Sequence, residues 1–106
     1  MKKLMMIVAA AGLVLAGSAQ AVDAEKAKAL AQSKNCLACH AIDKKLVGPA
    51  YTEIAKKYKG NKEAEAMLIK KVINGGGGVW GTIPMPPNPV KEDEAKLLVQ
   101  WILSLQ

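Results

Sequence analysis

Two cysteines three positions apart, followed at once by a histidine, constrain this chain more than any other stretch: Cys36-Leu37-Ala38-Cys39-His40. This is the spacing at which haem is attached to protein. Each sulfur can add across one porphyrin vinyl group to form a thioether, and the adjacent imidazole can offer a nitrogen to the iron. The pentapeptide therefore predicts one covalent haem c, with Cys36 and Cys39 as attachment points and His40 as a metal ligand.

Three other chemistries use the same residue types. A structural zinc site takes four ligands, usually from a second Cys or His pair, and the chain contains no cysteine or histidine beyond Cys36, Cys39 and His40. A thioredoxin-like redox pair also reads Cys-X-X-Cys, but that fold alternates strands with helices, and no strand-period segment is found here. A plain disulfide gives His40 no role.

The first 21 residues are set apart before folding is considered. Met1-Lys2-Lys3 is a basic start, Leu4 to Ala16 an apolar run, and Ala19-Gln20-Ala21 a small-residue cleavage site, the pattern of a secretory signal peptide. A membrane anchor needs roughly 20 apolar residues, more than this run supplies. Cleavage after Ala21 leaves one domain of 85 residues, 22–106. That is near the lower limit for a self-sufficient core, and a bound haem would supply the missing bulk. Its 13 lysines stand against 9 acids, with no arginine. Two ionised propionates lower the formal charge to about +2, a balance that can steer an acidic partner or simply solvate helix faces. No nucleic-acid motif accompanies it.

Apolar spacings predict an all-α chain. Asp23 can cap a helix through Ala27, Leu30 and Ala31. Tyr51, Ile54, Ala55 and Tyr58 share one face of a second helix that stops near Gly60. Asn61 is the expected cap of a third, with Ala64, Met67, Leu68 and Val72 inward, ended by Asn74-Gly75. Gly75 to Gly78 reads either as a flexible connector or as backbone passing close over a cofactor. Four prolines between Val79 and Pro89 exclude a helix or central strand. A last helix begins near Lys91, with Glu92, Asp93 and Glu94 in its first turn and Ala95, Leu98, Trp101, Ile102 and Leu105 inward.

The mature region has two methionines, Met67 and Met85. Met67 sits at a helical core position, where methionine commonly fills gaps. Met85 lies in Ile83-Pro84-Met85-Pro86-Pro87-Asn88, a stiff loop where packing gives it little reason to be. A thioether is a soft ligand that favours Fe(II) and raises the reduction potential, so Met85 is the candidate sixth ligand.

With the pentapeptide and the segment Gly78-Val79-Trp80-Gly81-Thr82-Ile83-Pro84-Met85-Pro86-Pro87-Asn88 together, the chain resembles a short bacterial class I cytochrome c, of the group named by its alpha-band wavelength. Gly48-Pro49-Ala50 and Trp101-Ile102-Leu103 resemble family segments too. The resemblance implies about four short helices wrapped around one haem. It also implies a monomeric, soluble periplasmic electron carrier working from a quinol-oxidising complex to a terminal oxidase or nitrite reductase. It gives Pro49 the role of accepting from the second nitrogen of His40, and places an Asn88 hydrogen bond in the neighbourhood of the Met85 sulfur. Trp80 and Lys71 would reach a propionate, although many relatives carry arginine at the latter position. Lys91 stands where relatives have serine, so the last helix should lack a good side-chain cap. Two enzyme readings compete, a haem peroxidase and a periplasmic disulfide oxidoreductase. The first needs an open sixth position and the second free thiols. A third reading is a gas sensor or permanently docked subunit.

Overall fold

Helices α1 (Ala24–Ser33), α2 (Tyr51–Lys57), α3 (Ala64–Asn74) and α4 (Glu92–Leu103), with a 3₁₀ turn at Cys36–Ala38, are the regular elements of the computed structural model, which describes residues 22–105. The signal peptide expected over 1–21 lies outside the described residues. No strand occurs among the described residues, only two isolated antiparallel bridges, His40 with Lys45 and Gly76 with Met85. The chain has the all-α class expected.

Each helix begins and ends for a local reason. Asp23 accepts from the Lys26 N–H at 3.1 Å and caps α1. Asn35, at φ +64°, takes the left-handed turn after that helix and redirects the chain into Cys36. The first N–H groups of α2 find carbonyls instead of a side-chain cap: Tyr51 N donates to Ala41 O and Thr52 N to Ile42 O, both at 2.9 Å. These bonds fold the 41–50 loop back against the pentapeptide. At α4, Lys91 makes no side-chain cap hydrogen bond, since an ammonium has no lone pair to offer. Glu94 instead accepts the Lys91 N–H at 2.9 Å, so the helix start is held from inside the helix.

Two expectations about α3 are corrected. Its N-cap is Glu63, not Asn61. Asn61 starts the turn two residues earlier, its side chain accepting from Glu63 N at 3.0 Å. Met67 is not inward but 40 % exposed. Buried Ala64 and half-buried Leu68 and Val72 define the inward stripe by steps of four, and Met67 falls about 100° from its centre at 3.6 residues per turn.

Helix α4 touches α1, α2 and α3 and is the spine of the fold. Its Leu98, Trp101 and Ile102 pack with Ala27 and Ala31 of α1 and with Tyr51 and Ile54 of α2. Trp101 lies edge-on to Tyr51, ring centroids 5.5 Å apart. Tyr51, Leu98, Val99 and Trp101 are each 3 % exposed or less, but six of the twelve buried apolar residues among those described are alanines.

Candidate haem site

Cys36, Cys39, His40, Pro49, Lys71, Trp80, Met85 and Asn88, the eight residues singled out from sequence, all border one cleft of about 390 Å³. That volume lies within the roughly 300–1,000 Å³ of small-molecule and cofactor sites. The 3₁₀ turn and the loop after it supply Cys36, Cys39, His40 and Pro49. Helix α3 supplies Leu68, Lys71 and Val72, helix α4 gives Leu98, Val99 and Ile102, and the glycine–proline segment brings Trp80, Ile83 and Met85.

His40 is oriented from three sides. The Pro49 carbonyl lies 2.7 Å from Nδ1. A carbonyl only accepts, so in the neutral ring Nδ1 carries the proton and Nε2 keeps the lone pair that a metal needs. The Tyr51 ring stacks on the imidazole, 5.0 Å between centroids and 22° between planes. Gly48 closes the third side: a Cβ there would come within 2.7 Å of His40 Cε1. In sequence, Gly48 stands out only within the family-like Gly48-Pro49-Ala50 segment and Tyr51 only as part of a helix face. Neither contact has a local signal, because both depend on how the 41–50 loop folds back.

Met85 is seated by the glycine run. Gly76 N donates to Met85 O at 2.9 Å, and Met85 N to Gly76 O at 2.7 Å. A Cβ at Gly75 would stand 2.5 Å from Met85 O and 2.8 Å from Pro87 N, and one at Gly77 would stand 3.1 Å from Pro84 Cα. The glycines thus admit the backbone of the proline loop at close range.

Asn88 is held by hydrogen bonds to two carbonyls. Its Nδ2 donates to Val72 O at 2.8 Å and to Pro86 O at 3.3 Å, and its backbone N also donates to Val72 O at 3.2 Å. Its amide hydrogens therefore serve the last turn of α3, where carbonyls lack helical partners, and the loop itself, with none directed to the Met85 sulfur. Lys71 lies against Gly76, where an added Cβ would meet its Cε at 3.5 Å. Trp80 is 41 % exposed at the cleft rim, with Lys57 Nζ 5.7 Å from the ring centroid.

The donor set fits haem iron. An imidazole with a fixed tautomer and a thioether border the same apolar cleft, and two cysteines lie beside the imidazole. It does not suit the alternatives. Among the described residues no three His, Cys, Asp or Glu side chains are grouped to hold a metal ion by themselves. Burial pushes the Cys36 thiol up, opposite to the depressed value of a reactive redox thiol. Burial also raises the Tyr51 phenol.

Comparison with known proteins agrees with this geometry. The family model described as cytochrome c matches residues 24–106. The chain is 53 % identical to cytochrome c-551 of Pseudomonas aeruginosa over 95 residues, which is 90 % of this chain and 88 % of that protein. Cytochrome c-552 of Hydrogenobacter thermophilus is 54 % identical over 77 residues, 73 % of this chain and 79 % of that one. The crystal structure of Nitrosomonas europaea cytochrome c552 superposes with a TM-score of 0.72 at 48 % identity, covering 74 % of this chain and 99 % of that chain.

Proposed function

The chain belongs to the cytochrome c family, and on that premise we propose that it carries single electrons in the periplasm from a quinol-oxidising complex to a terminal oxidase or nitrite reductase, with His40 and Met85 as the side chains that would ligate the iron. It is an electron-transfer protein rather than an enzyme, and its cofactor is haem c held through cysteines. When bound, haem supplies the one-electron couple. The chain's own residues hold it and tune it.

Cys36 and Cys39 form the two thioethers. Pro49 accepts from His40 Nδ1, which fixes the ring and makes its other nitrogen more basic. Met85 gives a soft sulfur that favours the ferrous state. The apolar walls from α3 and α4 keep water away and disfavour the extra positive charge of the oxidised state. Lys71 and Trp80 would pair with a propionate. Asn88 acts on Met85 through the backbone, pinning the loop to the end of α3. Residues 1–21 direct export and are removed. No helix among the described residues is long and apolar enough to cross a membrane.

Partner docking uses the apolar rim of the cleft, where Val47, Val79 and Ile83 are 52, 47 and 68 % exposed. Lys44 and Lys45 precede Leu46-Val47 in the chain and give that rim a positive edge that speeds encounter with an acidic surface.

The observation that carries this reading is that His40 and Met85, far apart in sequence, border one apolar cleft beside both cysteines. The test is the mass of mature protein expressed with haem-attachment machinery, followed by a redox titration. Acid-stable added haem mass and a one-electron couple are expected. Haem lost to acid, or a two-electron dithiol couple, overturns it.

A further inference from the structure

The loop that carries Met85 is held unevenly. Toward α3 it has the paired Gly76 and Met85 bonds and the Asn88 donors to Val72. Toward the half of the fold that bears Cys36, Cys39 and His40, no backbone hydrogen bond of residues 79–90 crosses over among the described residues.

Two lysine side chains reach across instead. Lys34 Nζ donates to Pro89 O at 3.0 Å, and Lys57 Nζ stands 5.7 Å from the Trp80 ring centroid. The loop's composition explains why the tether must come from outside. Pro84, Pro86, Pro87 and Pro89 have no N–H, so the segment offers carbonyls and needs donors from elsewhere. Lys34 is well placed as one, since it precedes the left-handed Asn35 that turns the chain into Cys36. The two contacts grip the segment near its ends, at Trp80 and Pro89, and Met85 lies between them.

We propose that Lys34 and Lys57 are positioning residues for the Met85 sulfur, clipping the two ends of its loop to the cysteine-bearing half and so setting how often the sulfur leaves the iron. This rests on Met85 being the sixth ligand, as proposed above. Because both contacts join only the two walls of the cleft, losing them frees the loop without dismantling the helices.

The test mixes ferric haem-loaded protein with increasing imidazole and follows loss of the sulfur-to-iron charge-transfer band. At saturating imidazole the rate is that of loop opening. Lys34→Ala should raise this limiting rate ~3- to 10-fold, the span of one net hydrogen bond, and Lys57→Ala ~2- to 5-fold for an exposed cation–π contact. Lys34→Arg should restore the parent rate. Lys56→Ala, whose ammonium pairs with Glu53 on an exposed surface, should not change it. A merely structural role would lower the helix-unfolding midpoint and leave the limiting rate alone. Equal limiting rates in Lys34→Ala, Lys57→Ala and Lys56→Ala overturn the proposal while the band itself still supports Met85. A parent without the band, or a band that survives Met85→Ala, removes the ligand reading and this inference with it.

Discussion

Gly75 and Gly60 share a positive φ, +77° and +79°, but differ in surroundings. Nothing lies within 4 Å of a Cβ added at Gly60, whereas one at Gly75 meets Met85 O at 2.5 Å, Pro87 N at 2.8 Å and Pro86 C at 2.9 Å. All three are backbone atoms in a segment stiffened by prolines, so none yields cheaply. Restoring an ordinary 3.4 Å contact with Met85 O requires a displacement of about 0.9 Å. A positive φ costs an alanine roughly 1–3 kcal/mol, and at Gly75 the ψ of −176° makes the demand for glycine stricter. At Gly75 overpacking adds roughly 1–3 kcal/mol. The difference between Gly75→Ala and Gly60→Ala therefore reports the contact with the Met85 loop together with the stricter backbone demand at Gly75. Urea and thermal unfolding of haem-loaded protein, followed by helical circular dichroism, should show that difference as ~1–3 kcal/mol, or roughly 5–20 °C for a domain of this size. Gly75→Ala should also weaken the sulfur-to-iron band, and Gly60→Ala should not. Equal losses in the two variants, with both spectra unchanged, would mean that the glycine run is a connector and not the seat of the loop.

Gly48→Ala should push His40 off the Pro49 carbonyl, costing about 1–3 kcal/mol from overpacking, and shift the Soret band and the potential; a parent-like spectrum and melting curve would contradict this. Protein produced without haem attachment should be largely unfolded, because six of the twelve buried apolar residues among those described are alanines and so short a chain then buries too little apolar surface; a cooperative thermal transition in that form would refute it. Electron transfer to an acidic partner should slow modestly as salt rises, as rim charges act mainly on encounter; a flat response measured by stopped flow would leave the lysines as solvated faces.

Local features were legible in the sequence and long-range seating was not. The helices announce themselves by apolar spacing, and Asp23 reads directly as a cap. The pentapeptide and the Met85 loop could be assigned to one site because their chemistry is specific, whatever the path between them. Met67 was misplaced because steps of three and four both look inward on paper, while the packed stripe of α3 follows the steps of four. Asn61 was misplaced because its side chain serves a turn ahead of the helix. Gly75 could be recognised as special but not explained, since the backbone it admits lies ten residues further along the chain. The resemblance puts Asn88 near the Met85 sulfur, but only the fold shows that its amide also reaches the Val72 carbonyl at the end of α3, sixteen residues back. Lys34 and Lys57 carried no signal at all, being two of many lysines until the fold sets them against Pro89 and Trp80.

The central claim is that Met85 completes the iron's coordination, and one pair of substitutions tests it most directly. In ferric haem-loaded protein, Met85→Ala should abolish the weak sulfur-to-iron charge-transfer band, lower the reduction potential through loss of the soft ligand and open the iron to imidazole or peroxide. Met67→Ala, at a side chain already 40 % exposed, should leave band and potential in place. If Met85→Ala leaves both unchanged, or if Met67→Ala abolishes the band, Met85 is not the ligand and the account of this cleft is wrong.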